Sequence, residues 1–291
     1  MTELVVAGRR LAVTSLDKLL FPRAGFTKAD LIDYYRRIAP VLAPHIAGRP
    51  MTLGRFPAGV DGRGFAQTEC RGAPDWLHTY ELELRGGGRR RYCLLDDAAA
   101  LVWAANLGTI ELHPYPWRVA QPEAPDALLF DLDPGTGAGL KECCQVALII
   151  REELATRGLT CVAKTSGGGG LHLVAPLEPG HTFEQTKRFA RTLTEDLARR
   201  LPDLITAATE RKERAGRVLI DWLQNDARRS TVAPYSLRAA DCPLVSTPIG
   251  WDEVAGDPDG LWFDAQGVLG RVEGRGDLHA PALTPQSRLP G

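Results

Sequence analysis

The sequence predicts an α+β fold on three observations. Apolar, strand-like runs at residues 128–133, 161–165, 171–176 and 218–223 are separated by helical stretches at 140–157 and 182–201, in an order that is not a strict alternation. A helical period over residues 27–48 sits in a separate N-terminal stretch that otherwise reads as short strands and turns. The composition is globular: of 291 residues, 44% are hydrophobic and 24% charged. That excludes wholesale disorder, a collagen-like repeat and a disulfide-stapled miniprotein.

From the N-terminus, residues 5–13 read as a hairpin around Gly8. Thr27 and Asp30 resemble a capping box, and Leu31, Ile32, Tyr35, Ile38, Val41 and Leu42 then recur at helical spacing, with an end expected near Pro40 or by Gly48. Residues 51–120 read as short strands and turns, with a hairpin over 81–95 across Gly86–Gly88. A strand at 128–133 is followed by a helix over 140–157 that Gly158 is placed to stop. Two strands flank Gly167–Gly170, Thr182 and Gln185 cap a helix that Pro202 stops, and a strand covers 218–223. The Gly- and Pro-rich last 20 or so residues read as a loosely held tail. The expected organisation is a single domain, 1–291, with no linker: a smaller N-terminal α/β lobe (1–120), a catalytic sheet (121–270) and a tail (271–291), packed as one unit.

Lys and Arg total 35 against 36 Asp and Glu, a net charge of -1, so any nucleic-acid surface must be local. None of the six cysteines shows C-x-x-C spacing, which argues against a zinc ribbon. Cys143 and Cys144 read as buried thiols. With no signal-like N-terminus and no apolar run of membrane-spanning length, a cytosolic protein with reduced thiols and no membrane partner is expected.

Three segments carry chemistry. In Phe130-Asp131-Leu132-Asp133-Pro134-Gly135, strand alternation puts Asp131 and Asp133 on one face at a strand end. Neighbouring carboxylates repel unless a cation lies between them, and hard Mg²⁺ or Mn²⁺ suits such oxygens. In the stretch 164–172, four glycines offer backbone N–H groups to an anion, with Ser166 and His172 as side-chain donors; the Walker pattern is absent. The strand at 218–223 delivers Asp221 and leads into a stretch ending at Arg238; residues 207–238 carry seven basic against four acidic side chains, favouring an anionic ligand. Together these form a phosphoryl-transfer kit. Asp131, Asp133 and Asp221 would hold two metals roughly 3.5–4 Å apart, activating a 3′-hydroxyl and neutralising pyrophosphate, while Ser166, His172 and Arg238 would hold a triphosphate.

The order FDLDPG, TSGGGGLHLVAPL and LIDWLQN…STVAPYSLRA, with LDKLLFP, GFTKADLIDYYRRIAP, GRPMTLGRFPAGVDGRGF and ANLGTIELHPY upstream, resembles the polymerase domain of bacterial ligase D, of the archaeo-eukaryotic primase superfamily. The resemblance covers roughly residues 10–285. It implies a primase-polymerase core with an RRM-like sheet. It also implies metal-dependent nucleotidyl transfer onto DNA ends or gapped duplexes, often with ribonucleotides and Mn²⁺, in non-homologous end joining at the nucleoid. Ku and an ATP-dependent DNA ligase are the implied partners. His113 would place the incoming sugar, Gln224 would join the nucleotide site, and Lys18 and Lys28 would contact a 5′-phosphate. The chain departs from the family at Gly169, where relatives usually carry Lys; at Gly54, often larger or basic there; and at Ala66 and Thr68, where a second aromatic and a Lys are common. These changes remove positive charge and a stacking surface from the nucleic-acid path.

Three other readings are weaker. A haloacid-dehalogenase-type phosphatase would need its D-x-D-G-T loop, but Pro134 shifts the Gly and Thr by one place. A dinucleotide site at Gly135–Gly139 fails on spacing. A DNA-end-binding scaffold with lost catalysis is motivated by Gly169 and Ala66.

Overall fold

The computed structural model describes residues 2–83, 86–122, 124–285 and 287–290, the side chain of Arg211 aside. Leu84 and Arg85 of the expected hairpin, Gln286 and Gly291 of the expected tail, and the Arg211 side chain of the basic stretch lie outside the described residues. The chain divides into two compact units. The first contains Met1–Ala120, Ser230–Val245 and Phe263–Gly276; the second contains Gln121–Arg229, Ser246–Trp262 and Asp277–Gly291.

The first unit opens with a hairpin of β1 (Thr2–Val6) and β2 (Arg9–Val13), then the short pair β3 (Leu19–Phe21) and β4 (Phe26–Thr27). Helix α1 (Lys28–Ile46) starts as its sequence dictates: the Thr27 hydroxyl accepts from the Asp30 amide, and the Asp30 carboxylate accepts from the Thr27 amide at 2.7 Å. It runs through Pro40 and Pro44 rather than stopping at the first. Its buried side, Leu31, Ile32, Tyr35, Ile38 and Leu42, packs on α2 (Ala98–Asn106). A five-stranded sheet contains β5 (Met51–Arg55), β6 (Phe65–Gln67), β7 (Thr79–Glu83), β8 (Arg89–Cys93) and β9 (Thr109–Pro114), with β9 paired to β5. Residues 230–245 return to β9: the Ala233 amide donates to Leu112 O, and the Leu112 amide donates to Ser236 Oγ.

Helix α2 is a correction, because residues 51–120 read as strands and turns only. Seven of its nine residues are buried, so it has no polar face and no amphipathic stripe. A second correction concerns thiols. Cys70 and Cys93, expected reduced, are joined in a disulfide, with Cα atoms 4.9 Å apart. The Cys70 amide donates to Arg91 O, which draws Cys70 alongside β8. Cys143 and Cys144 are buried, as expected.

The second unit is built on the order β10 (Ala127–Pro134), α3 (Leu140–Ala155), β11 (Val162–Thr165), β12 (Leu171–Pro176), α4 (Phe183–Arg200), β13 (Ile205–Thr206), β14 (Val218–Asp221), β15 (Pro248–Ile249). The strands lie in the sheet as β13-β14-β10-β12-β11-β15, and every neighbour is antiparallel except β13 with β14. The central β-α-β-β-α-β pattern with β14-β10-β12-β11 order is the RRM-like arrangement. Leu128, Phe130, Leu132, Leu171, Leu173, Ala175 and Ile220 point to one face and are fully buried under α3 and α4. Alternation therefore sends Asp131, Asp133, His172 and Asp221 to the opposite face. Two further helices are α5 (Trp251–Val254) in this unit and α6 (Ala265–Arg275) in the first. The last residues are not loose: His279 and Ser287 are buried, and the Glu178 amide donates to Ser287 O.

Strand β14 ends at Asp221, so the backbone of Leu129 has no strand partner on that side. Asn225 replaces it: Oδ1 accepts from the Leu129 amide at 2.9 Å and Nδ2 donates to Leu129 O at 2.7 Å. Asn225→Ala strips both bonds from a buried site and should lower stability by about 1–3 kcal/mol. The measurement is the urea midpoint at unchanged m-value; an unmoved midpoint would show that the clip carries no stability.

Candidate active site

Four polar side chains cross the face of the second unit's sheet opposite α3 and α4 in one row. Strand register pairs Lys164 with His172, His172 with Asp131, and Asp131 with Asp221. Asp133 lies two residues beyond Asp131 on the same face, opposite Leu219. Gln224, on the turn after β14, aims its Nε2 at both carboxylates: 3.3 Å to Asp221 Oδ2 and 3.4 Å to Asp131 Oδ2. Asp221 Oδ1 accepts from the Leu223 amide at 3.0 Å, and Arg229 lies 4.0 Å from Oδ2.

Burial and then the neighbouring Asp131 charge raise the Asp221 carboxyl above its ordinary value, against the Leu223 hydrogen bond. The fit to a cation follows from this donor set. All the contributors are carboxylate oxygens, which suits a hard divalent ion, and a positive charge would relieve the repulsion between Asp131 and Asp221. Among the described residues no three His, Cys, Asp or Glu side chains already surround one point in a way that could hold a metal ion. The Gln224 amide spans the gap between the two carboxylates.

His172 and Ser166 sit differently from the sequence expectation. His172 is buried, with Nδ1 3.0 Å from Lys164 Nζ and Nε2 3.1 Å from Asp131 Oδ1. The Ser166 hydroxyl is turned onto its own loop, accepting from the amides of Gly168 and Gly170 at 3.1 Å each. Two of the amides expected to face an anion are thereby engaged. Gly170 has to be glycine, since a Cβ there would lie 2.3 Å from Leu132 O. Gly169 holds φ at +97°.

The remaining predicted residues belong to the first unit. His113 Nε2 lies 2.9 Å from Glu111 Oε2, and Arg238 Nε lies 3.1 Å from Glu111 Oε1, which also accepts from the Ala239 amide. Burial alone would raise the Glu111 carboxyl, but the His113 hydrogen bond, the Arg238 charge and the Ala239 amide outweigh it and bring it to about 2. The stability this contributes is present above the ordinary value of 4.5 and is lost as pH falls through about 2. Sequence reasoning missed Glu111; the signal was its i, i+2 spacing to His113 on one strand. The two side chains border a cleft of about 430 Å³ with Phe65 and Gly54. Gly54 is what admits the carboxylate, because a Cβ there would sit 2.8 Å from Glu111 Cβ. Lys18 is exposed, while Lys28 is buried, its amide bonded to Lys18 O and its Nζ 3.4 Å from Thr14 Oγ1. Burial, and then the Lys18 charge, lower the Lys28 ammonium.

The model of the LigD primase-polymerase domain family matches residues 27–279. The multifunctional non-homologous end joining protein LigD of Mycolicibacterium smegmatis is 38% identical over 275 residues, covering 94% of this chain and 36% of the relative. The bifunctional non-homologous end joining protein LigD of Bacillus subtilis is 28% identical over 269 residues, covering 92% and 43%. The chain thus spans well under half the length of these curated relatives. Among solved structures, the polymerase domain from Mycobacterium tuberculosis ligase D in complex with DNA matches with a TM-score of 0.89 at 37% identity, covering 94% of this chain and 98% of that one.

Two outcomes follow from the geometry. Asp221 keeps its proton more tightly folded than unfolded, so its contribution to stability falls as pH rises through the window above 3.8. Asp221→Asn removes that repulsion. In chelator at neutral pH the variant should melt no lower than the wild type, and Mn²⁺ should raise its melting temperature less; a clear loss of stability in chelator would contradict the repulsion. Gly169→Lys must force a residue with a Cβ to positive φ, at a cost of roughly 1–2 kcal/mol. Restoring the cation common in relatives should therefore lower the urea midpoint, and an unchanged midpoint would show that the loop relaxes freely.

Proposed function

The chain belongs to the LigD primase-polymerase domain family, and on that premise we propose that it is a metal-dependent nucleotidyltransferase that extends DNA 3′ ends in gap filling or end joining, with ribonucleotides preferred. The observation that carries the reading is the cross-strand pairing of Asp131 with Asp221, with Asp133 on the same face of the same strand. Asp131, Asp133 and Asp221 would hold Mn²⁺ or Mg²⁺, which when bound supplies the positive charge that favours an attacking 3′-oxygen and a leaving pyrophosphate.

The chain's own groups divide the remaining work. Gln224, whose Nε2 faces both carboxylates, would orient them, and its amide would join the nucleotide site. Ser166 stiffens the glycine loop, leaving the outward amides of that loop for phosphate oxygens. Glu111 holds the Arg238 guanidinium and the His113 ring in fixed directions, Arg238 for the triphosphate and His113 for the sugar. Lys18 and Lys28, joined by the hydrogen bond of the Lys28 amide to Lys18 O, suit a 5′-phosphate without reading base sequence.

The names of the relatives support end joining as the setting. DNA ends or gapped duplexes are the substrates, and Ku and an ATP-dependent DNA ligase are the partners, in the cytoplasm at the nucleoid. No helix among the described residues is long and apolar enough to cross a membrane.

Primer extension on a 5′-phosphorylated gapped duplex, with NTPs and dNTPs compared in Mn²⁺, tests the reading. The wild type should extend, faster with NTPs. Asp133→Asn should lose more than the roughly 10–100-fold that loss of a mere supporting partner costs. Lys18→Ala with Lys28→Ala should weaken binding to the phosphorylated gap and leave an unphosphorylated end nearly unchanged. DNA binding without any extension would establish the scaffold reading instead.

A further inference from the structure

Helix α1 carries two tyrosines in succession, Tyr34 and Tyr35, and both are buried, 2% and 1% exposed. A buried phenol needs a partner for its hydroxyl. Tyr34 Oη donates to Tyr235 O at 2.8 Å. Tyr35 Oη donates to Ile110 O on β9 at 2.5 Å and accepts from the Leu237 amide at 3.2 Å. All these groups belong to the first unit. Tyr235 holds φ at +64°, a left-handed backbone that bulky side chains rarely adopt. Such a conformation persists only where its surroundings hold it, and it tends to mark a functional site. Here the holds are the Tyr34 hydroxyl on the Tyr235 carbonyl and, one residue on, Ser236 Oγ, which accepts from the Leu112 amide at 2.9 Å.

We propose that Tyr34 and Tyr35 are positioning residues for the nucleotide: their hydroxyls hold the turn at Tyr235 and the residues after it against β9, and so set the direction in which Arg238 leaves the backbone. The order of contacts along the chain carries this. The Tyr35 hydroxyl bonds Leu237, the residue before Arg238, and Ile110, the residue before Glu111. It therefore fixes the spacing of two backbones whose side chains meet, with Arg238 Nε 3.1 Å from Glu111 Oε1. The next amide, that of Ala239, donates to the same Glu111 oxygen at 2.9 Å. A guanidinium grips phosphate through a rigid fork, so its direction matters more than that of a rotatable ammonium. Phenylalanine at either position would fill the same space and make none of these bonds. The proposal rests on reading Arg238 as the triphosphate contact.

The test uses the full chain and three readouts. The first is the affinity for a non-hydrolysable ATP analogue in Mn²⁺, by calorimetry. Tyr35→Phe should weaken it about 5–10-fold, the scale of one buried hydrogen bond. The second is primer extension, where the nucleotide KM should rise by a similar factor while kcat and binding to the gapped duplex stay nearly unchanged. The third is backbone hydrogen exchange by mass spectrometry. Peptides covering 235–239 should exchange faster in Tyr35→Phe, and peptides from α1 should not. A double-mutant cycle then asks whether Tyr35 acts through Arg238: in an Arg238→Ala background, Tyr35→Phe should cost almost no further affinity.

A tyrosine that served stability alone would lower the melting temperature without moving the nucleotide KM. Should Tyr35→Phe not fold, Tyr34→Phe is the second variant; it frees the Tyr235 carbonyl and should weaken nucleotide binding by a few-fold with the same change in exchange. Wild-type nucleotide affinity in a folded Tyr35→Phe overturns the proposal, as does a loss that adds in full to that of Arg238→Ala. If the wild type itself binds no nucleotide and extends no primer, the polymerase reading fails. The exchange readout then still decides whether the two hydroxyls hold the segment that carries Arg238, and unchanged exchange at 235–239 overturns that too.

Discussion

Two carboxylates held side by side are the constraint around which the second unit is arranged. Asp131 and Asp221 are cross-strand partners on β10 and β14, where directly opposed like charges destabilise a sheet. Burial intensifies the conflict by removing water that would screen it. The surrounding groups answer it with donors: Gln224 toward both Asp131 and Asp221, and the Leu223 amide toward Asp221. The opposite face of the same strands is fully apolar beneath two helices. The core therefore fixes the register, and the register fixes the separation of the charges.

The same logic explains what could be read from the chain. Strand alternation alone puts Asp131 and Asp133 on one face, and the apolar runs around Leu128 and Ile220 mark both strands, so the carboxylate face was legible. The partner of His172 was not, because pairing between β10 and β12 is a matter of register between distant positions, Asp131 with His172, that no local pattern carries. Helix α2 escaped because AAALVWAAN is apolar all round. The final residues escaped because Gly and Pro content signals looseness, whereas His279 and Ser287 are held by burial and a backbone bond. The return of residues 230–245 to β9 likewise depends on contacts between distant stretches, and with it the Glu111 pairing of Arg238.

The departures from family pattern acquire physical content at two glycines. Gly54 makes room for Glu111, so a larger residue there and this Glu111 position exclude one another unless β5 or β9 shifts. Gly169 occupies a backbone region that disfavours side chains, so the cation that relatives carry cannot be introduced there without bending the loop. Phe65, 47% exposed beside Ala66, remains as a stacking surface with Arg55 over its ring.

A crystal structure of the chain with Mn²⁺ and a non-hydrolysable nucleoside triphosphate, read by the anomalous signal of manganese, tests the central claim most directly. The account predicts manganese bound by Asp131 and Asp221, with the Gln224 amide displaced from the position where it spans both carboxylates. Manganese bound elsewhere, with Gln224 still bridging Asp131 and Asp221, would contradict it.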